Sequence, residues 1–231
     1  MKNENDSKLI TNKRKIFRCF FGSLKLPTGK VIITPISKIY QKIKNSHPLI
    51  EETKGWWKRI VVKIGPYLVT VLKIPSGSNY IRDCLKVLEN LEVKGVIFLG
   101  YCASFSKKIK IGQIVIPTKA IFGQREIDLS KSKSFIGLKN KGYKIALVQQ
   151  LLLPKMKIER IRAELGDMET YFLYEFSKTK KIPALALLIV TDNPLFYPFY
   201  CISIADKIKI KSSVEKLMRL LRQYVYKFQI K

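Results

Sequence analysis

The sequence lacks most of the residues from which metal sites and catalytic triads are built. It contains one histidine, His47, so a cluster of histidine ligands is excluded, and a Ser-His-Asp triad would have to use that residue. The Asn-Ser-His-Pro segment around it is typical of a turn, and we do not expect His47 to act in catalysis. The four cysteines are far apart and form no Cys-x-x-Cys pair, which indicates reduced thiols rather than a zinc site or a disulfide framework. We therefore expect no metal and no cofactor.

Long apolar runs are also missing. A membrane-spanning helix needs about 18 or more apolar residues in succession, whereas the longest candidate here, residues 182–190, is roughly half that length and contains Pro183. The beginning of the chain is charged and no adequate apolar stretch follows it, so we expect no secretory signal. These absences predict a cytoplasmic protein with no membrane partner.

Acidic residues are scarce. The chain has 17 Asp and Glu against 44 Lys and Arg, a formal net charge of +27, which invites a nucleic-acid or acidic-membrane partner. However, 35 of the 44 are lysines and only nine are arginines, whereas base readout and bidentate phosphate recognition favour arginine. The lysines are spread along the whole chain together with frequent Ile and Asn, as AT-rich codon usage produces. A nucleic-acid-binding protein is therefore the weakest of our hypotheses.

The apolar content is sufficient for one large domain, because the 231 residues are 47% hydrophobic and 11% aromatic. Apolar or β-branched runs predict strands at residues 31–34, 59–64, 68–74, 95–99, 114–116 and 183–190. Helical periodicity predicts helices at 36–44 and 81–91, one that begins at 165–167, and a last one capped by Ser212 or Ser213. Residues 123–142 predict a surface loop. This alternation indicates an α/β fold with helices on both faces of a sheet.

Polar residues gather where the predicted strands end, and in such sheets ligands bind at the carboxyl ends of strands. The candidate segments are residues 100–104, 167–169 and 192–193. A carboxylate at Asp192, directly after a buried strand, is partly desolvated, which raises its pKa toward the range of a general acid. Alternatively, Asp192 makes only an Asx turn.

The carboxylates of Asp167 and Glu169 leave a similar choice open. Asp167 suits a helix N-cap, which is a structural role. Glu169 falls in the first turn of the predicted helix, where a carboxylate either accepts hydrogen bonds from sugar hydroxyls or complements the helix dipole. Each signal alone is weak.

Two motifs at these segments are specific. Residues 166–170 read Gly-Asp-Met-Glu-Thr, and residues 181–194 form an apolar run that begins with Lys-Ile-Pro and ends in Thr-Asp-Asn-Pro. Together they resemble the purine nucleoside phosphorylase and nucleosidase superfamily, most closely the DMET helix and IP…ALLLVSDQP strand of the AMP nucleosidase catalytic domain. Residues 98–105 resemble that family's LGxCGGL loop, 111–117 its IGDxxxP segment and 76–79 its GSPN segment. The likeness runs in consistent order over about residues 70–230.

The resemblance implies a three-layer αβα sandwich with a mixed central sheet and an enzyme that cleaves an N-glycosidic bond. Asp192 would protonate the purine as general acid, and Glu169 would hold the ribose hydroxyls while an oxocarbenium-like state forms. Other substrate-binding positions implied are Met168, Gly100, Asn79 and Asn193, with Arg82 and Arg125 as candidate phosphate contacts. The expected reaction is hydrolysis of AMP to adenine and ribose 5-phosphate by a homo-oligomer.

The sequence also departs from the family pattern. The family's paired glycines are Ala103 and Ser104 here, and the phosphate-gripping arginine of phosphorylases is Phe98, which disfavours phosphorolysis. No carboxylate follows the first predicted strand to activate water. The alternatives are therefore a non-catalytic nucleotide-binding relative, a phosphorylase, or a methylthioadenosine/adenosylhomocysteine nucleosidase-type enzyme. We expect a basic extension at residues 1–29 and one nucleoside phosphorylase-like domain at residues 30–231.

Overall fold

A computed structural model describes most of the chain: residues 14–23, 29–89, 91–132, 135, 143–148, 161–196, 198 and 201–227. Parts of the predicted N-terminal extension (1–13 and 24–28) and of the predicted 123–142 loop lie outside the described residues.

The strands of the described residues form one mixed sheet, as predicted. They are β1 (Gly29–Thr34), β2 (Leu49–Lys54), β3 (Lys58–Ile64), β4 (Tyr67–Lys73), β5 (Val93–Ser104), β6 (Ile114–Val115), β7 (Pro117–Phe122), β8 (Arg125–Asp128), β9 (Tyr143–Leu147), β10 (Leu165–Asp167) and β11 (Ala184–Asp192). The order is β2-β3-β4-β1-β5-β10-β9-β7-β8, and β11 pairs with β5 and β6. Strands β4, β1, β5 and β11 run parallel to one another, whereas β2–β3, β3–β4 and β5–β10 are antiparallel.

Helices flank this sheet. They are α1 (residues 14–21), α2 (Ser37–Ser46), α3 (Ser78–Leu88), α4 (Thr170–Lys180) and α5 (Ile204–Lys227). Helix α2 contacts α5, α3 contacts α4, and both α4 and α5 contact β11. Strand β11 is consequently buried from Ala184 to Val190, which explains its uninterrupted aliphatic sequence. None of the described helices is long and apolar enough to cross a membrane.

The last helix begins earlier than the sequence predicts. It begins at Ile204, and Ser203 and Asp206 cap its N-terminus. Ser203 Oγ donates to Asp206 Oδ2 over 2.7 Å, and the Asp206 N–H donates to Ser203 Oγ over 3.1 Å. Ser213, a predicted cap, lies inside the helix and donates to the carbonyl oxygen of Lys209 over 2.8 Å. The alternation of Ile and Lys at the start of α5 conceals the helical period.

Three other local predictions are wrong. Residues 165–167 form strand β10 and not the start of a helix, because their backbone pairs with both β5 and β9. Residues 100–104, predicted as a loop, continue β5 because β10 and β11 pair with them from either side. Residues 125–128, placed in a surface loop, form β8 against β7.

The strand pairing at the end of β5 determines where the predicted site residues lie. Ala103 is the register partner of Gly166 in β10 and also of Asp192 in β11. The register of β11 shifts between Val190 and Asp192, which leaves Thr191 as the extra residue of a bulge. The two carboxylate-bearing segments predicted from sequence therefore lie on opposite sides of one strand end.

Candidate functional site

A cavity of about 290 Å³ lies at the edge of the sheet where the parallel strands β1, β5 and β11 end. Three carboxylates line it, those of Asp167, Glu169 and Asp192, and none of these residues is more than 9% exposed. The other described lining residues include no lysine, arginine or histidine. We call this the acidic cavity. In a protein of net charge +27, it is a local concentration of carboxylates.

Asp192 is the last residue of β11, and the bulge at Thr191 sets its position at the strand end. Thr191 Oγ1 donates a hydrogen bond to Asp192 Oδ1 over 2.9 Å, which orients the carboxylate. Burial raises the pKa of Asp192, and the Thr191 hydroxyl partly offsets this because it stabilises the charged form. A carboxyl group in this setting is better suited than a solvated aspartate to carry and donate a proton.

The turn after β11 is made by Asn193. Its Oδ1 accepts the Leu195 N–H over 3.2 Å, and its Nδ2 donates to the Ser106 carbonyl over 3.3 Å. Asp192 cannot make the corresponding Asx turn, because the residue two positions on is Pro194 and has no N–H. The alternative interpretation of Asp192 as a turn residue is thereby excluded, and Asn193 takes that structural role.

Glu169 also lines the acidic cavity, from the N-terminus of α4, where it is the N-cap residue. Its carboxylate accepts the Gly77 N–H over 2.6 Å and the Met168 N–H over 3.2 Å. Burial raises the pKa of Glu169, and these two backbone N–H groups oppose the rise. Ser78 Oγ donates to the Met168 carbonyl over 2.9 Å, so the loop before α3 is attached to Glu169 and to Met168.

Asp167 is the most buried of the three acids, and its bonds are structural. Its carboxylate accepts the Thr170 N–H over 3.2 and 3.1 Å and also the Thr170 hydroxyl, which satisfies an amide at the start of α4. Burial raises its pKa, and the nearby Glu169 charge adds to the rise. Asp167 therefore has a structural role, as one interpretation expected, but it lies two residues before the N-cap Glu169 and not at the N-cap position.

Ala103 and Ser104, which stand in β5 where the family pattern has glycines, occupy little of the acidic cavity. Ser104 is fully buried, and its hydroxyl is used locally: it donates to the Ser106 carbonyl over 2.9 Å and accepts the Ser106 N–H over 3.1 Å. Of the two positions, only Ala103 lines the acidic cavity, so one methyl group enters it.

Gly100, expected to approach a ligand, lies inside β5 and is not among the described lining residues. A Cβ at this position would come within 2.5 Å of Phe98 Cε1 and 3.2 Å of Leu188 Cδ2. The glycine is therefore required by the packing of Phe98, whose side chain is fully buried.

This explanation predicts that Gly100→Ala lowers the free energy of unfolding by about 1–3 kcal/mol, the usual cost of overpacking. Urea unfolding followed by fluorescence measures the change. Adding Phe98→Leu to the same chain should recover much of the loss by freeing space. An unchanged stability of the single variant would contradict the packing explanation.

The remaining predicted residues lie elsewhere. Asn79 is exposed in the first turn of α3, and Asn193 lines a neighbouring cavity of about 610 Å³. The guanidinium of Arg82 lies 5.2 Å from the centre of the Phe172 ring, and Arg125 interacts with the Tyr171 hydroxyl. Within the described part of the chain, neither arginine lines the acidic cavity.

Several lining residues were not expected from the sequence. Pro35 and Ile36, directly after β1, form part of one wall, and Ser76 lies beside them. Tyr101 and Cys102, which also line the cavity, come from β5 and belong to the candidate segment 100–104 that the sequence indicated. Burial, with the charges of two nearby aspartates, raises the pKa of the Cys102 thiol well above its usual value, so the thiol stays protonated and unreactive. The only sequence signal for this wall is that Pro35 and Ser76 both follow strands at the ligand-binding edge.

The sequence matches no family model and no curated protein, but solved structures share the fold. The 5′-methylthioadenosine/S-adenosylhomocysteine nucleosidase of Campylobacter jejuni has a TM-score of 0.69 at 13% identity, over 86% of this chain and 98% of that chain. The futalosine hydrolase of Helicobacter pylori has a TM-score of 0.65 at 14% identity, over 87% and 97%. The nucleosidase of Colwellia psychrerythraea in complex with adenine has a TM-score of 0.68 at 11% identity, over 88% and 96%. These likenesses confirm the predicted nucleoside phosphorylase-like fold.

Proposed function

We propose that the protein hydrolyses the N-glycosidic bond of a purine nucleotide or nucleoside. The observation that carries this proposal is that Asp192 and Glu169 line one cavity at the carboxyl ends of parallel strands. The sequence predicted these two acids as a pair, although 22 positions separate them and they lie on different elements. Enzymes of the same fold are nucleosidases, and one of them is in complex with adenine.

In this proposal Asp192 is the general acid. A purine anion is a poor leaving group, and protonation of its imidazole ring lets it depart as a neutral base. The raised pKa of Asp192 favours the protonated carboxyl group that a general acid needs, and the hydrogen bond from Thr191 orients that group. The C1′–N9 bond breaks, the bonding electrons leave with the protonated base, and the sugar becomes oxocarbenium-like.

Glu169 is the sugar-binding residue. Its carboxylate accepts two N–H groups of the protein and retains further lone pairs for ribose hydroxyls. Negative charge at this point orients the ring and stabilises the positive charge that develops on the sugar in the transition state.

Water is the nucleophile that this cavity favours. Its described lining includes three carboxylates and no cationic side chain, so a phosphate dianion at the reacting carbon would be repelled. Phe98, at the position of the phosphate-gripping arginine of phosphorylases, is buried in the core. Water adds its oxygen to C1′ and loses a proton, which completes hydrolysis to the base and the free sugar.

The substrate we propose first is AMP, from the sequence motifs. Uncharged nucleosides such as 5′-methylthioadenosine are the competing class, because the acidic cavity itself offers no cation for a phosphate.

A second candidate is a nucleotide-binding protein without turnover. Its support is that the residues after β1 that reach the cavity are Pro35 and Ile36, neither of which can activate water. This candidate predicts saturable binding of a purine nucleotide with no release of base.

Chromatography of the products decides between the two. Purified protein is incubated with AMP, adenosine or 5′-methylthioadenosine in phosphate-free buffer, and free adenine and reducing sugar are quantified. The hydrolase predicts equimolar adenine and sugar from at least one of these substrates. No release from any of them, with binding retained, would refute it in favour of the second candidate.

A further inference from the structure

Beside the acidic cavity lies a second depression of about 280 Å³, which contains two lysines. Its walls include Lys58 at the start of β3, Lys73 at the end of β4 and the indole of Trp56, which is 76% exposed. We call it the lysine cavity. Neither lysine was singled out by the sequence, because each is one of 35 spread along the chain.

The two cavities are next to each other along two separate segments. After β1, Pro35 and Ile36 line the acidic cavity, and the next residue, Ser37, lines the lysine cavity. At the end of β4, residues 73–75 line the lysine cavity, and the next residue, Ser76, lines the acidic cavity. Since consecutive Cα atoms are about 3.8 Å apart, the linings of the two cavities are adjacent in the chain at both places.

The strand order gives the lysine cavity a definite direction from the acids. At the ligand-binding edge the order is β11, β5, β1 and β4, so β11 and β4 are three strand spacings of about 4.8 Å apart, or roughly 14 Å across the sheet. Asp192 also lies about four residues, or roughly 13 Å, further along the strand direction, because it pairs with Ala103 whereas Lys73 is level with Leu99 through Thr34. Glu169 reaches toward the β4 side, because its carboxylate binds the Gly77 N–H in the loop that follows β4. Along this edge of the sheet the order is therefore Asp192, then Glu169, then the pair of lysines.

The two lysines face each other without a counter-charge. Lys58 and Lys73 are register partners in the antiparallel β3–β4 pair, an arrangement that is unfavourable for like charges. Within the described residues neither makes an ion pair with a carboxylate, and Lys73 Nζ donates to the Ile74 carbonyl over 3.0 Å. That bond holds the Lys73 ammonium against the segment that continues to Ser76.

We propose that Lys58 and Lys73 bind the 5′-phosphate of a purine nucleotide whose ribose is held by Glu169. This inference rests on the proposed function and specifies its substrate class as nucleoside 5′-monophosphates. Extended side chains of Asp192 at one end and of the lysines at the other would shorten the span that a nucleoside monophosphate has to bridge. A phosphate also supplies the counter-charge that the facing lysines lack. In this proposal Lys58 and Lys73 take the phosphate-binding role for which the sequence suggested Arg82 and Arg125.

The test compares AMP with adenosine, which differ only by the phosphate. The variants are Lys58→Gln, Lys73→Gln and the double variant, and Lys63→Gln is the matched control, because Lys63 is an exposed lysine of the same strand outside the cavity. Binding is measured by titration calorimetry, and adenine release by chromatography. We expect each cavity substitution to weaken AMP binding and to lower kcat/KM for AMP by about tenfold or more. Adenosine values and the control should stay unchanged, and added salt should weaken AMP only.

The outcomes separate this inference from the proposed function. Equal losses for AMP and adenosine, or no loss for either, would overturn the phosphate site even if the wild type releases adenine. Tighter binding of AMP than of adenosine, reduced by the cavity variants in a protein that releases no base, would support the phosphate site and reject the hydrolase.

Discussion

Asp192→Asn should reduce adenine release about a thousandfold or more, the upper range of what a positioned general acid contributes. Asparagine has nearly the same shape, and its carbonyl oxygen can still accept the Thr191 hydroxyl that binds Asp192 Oδ1. The fold and substrate binding should therefore be retained while proton donation is lost. The measurement is kcat on the best substrate of the panel, with circular dichroism and calorimetric binding to confirm that the site is intact.

The matched control for this variant is Asp83→Asn, which changes an exposed aspartate of α3 in the same way. It should leave kcat unchanged. An Asp192→Asn variant that keeps more than about a tenth of the wild-type kcat would show that Asp192 is not the general acid.

The pH dependence has a definite sign. Burial raises the pKa of Asp192, and the acid acts only in its protonated form, so kcat should fall as the pH rises through that elevated pKa. Below it the carboxyl group is protonated and its contribution is complete. The residual activity of Asp192→Asn should lack this limb of the profile.

Glu169→Gln should lower kcat/KM by about a hundredfold, because the charge that stabilises the developing oxocarbenium ion is removed while the side chain keeps its size. Glutamine keeps a carbonyl oxygen for the Gly77 N–H but offers one acceptor fewer. Kinetics on AMP and on its 2′,3′-dideoxy analogue separate the effects of charge and of hydroxyl binding. We expect the variant to lose much less on the analogue, because part of the interaction is already absent there.

Glu175→Gln provides the control for this second variant, since Glu175 is an exposed acid of the same helix. Its kinetics should match those of the wild type. Equal losses of Glu169→Gln on AMP and on the dideoxy analogue would contradict a role of Glu169 in holding the ribose hydroxyls.

The parts of the site that the sequence predicted are those where a local pattern has one structural outcome. The aliphatic run before Asp192 is short and follows Pro183, which favours a buried central strand over a helix, so a carboxylate at the sheet edge follows from it. The Asp-Met-Glu segment before an apolar helical stripe placed Glu169 at a helix N-terminus in the same way.

Some of the wrong predictions of helix and strand positions could have been avoided from the sequence, and others could not. Ser203 and Asp206 have capping-box spacing, a local signal that correctly marks the start of α5. Strand β10 has three residues, and only its pairing with β5 and β9 makes it a strand, which no local pattern reveals. The facing of Lys58 and Lys73 depends on hairpin register, and their closeness to Glu169 depends on strand order.

The net charge of +27 takes a more specific meaning in the structure. The candidate site is acidic where the glycosidic bond would lie, and lysines line the cavities beside it: Lys58 and Lys73 in the lysine cavity, and Lys107, Lys110 and Lys209 in the cavity of about 610 Å³. The surrounding lysines form a positive field that attracts anionic ligands over a distance. That field would attract a nucleotide, and the separation of the acidic cavity from the lysine cavity would orient it.

The most direct test of the central claim is a crystal structure of the Asp192→Asn protein with AMP. The purine should lie in the acidic cavity with an imidazole nitrogen within about 3.2 Å of the residue-192 amide, and the ribose hydroxyls should lie within the same distance of the Glu169 carboxylate. A purine bound elsewhere, with neither residue in contact with it, would contradict the assignment of this cavity as a nucleosidase site.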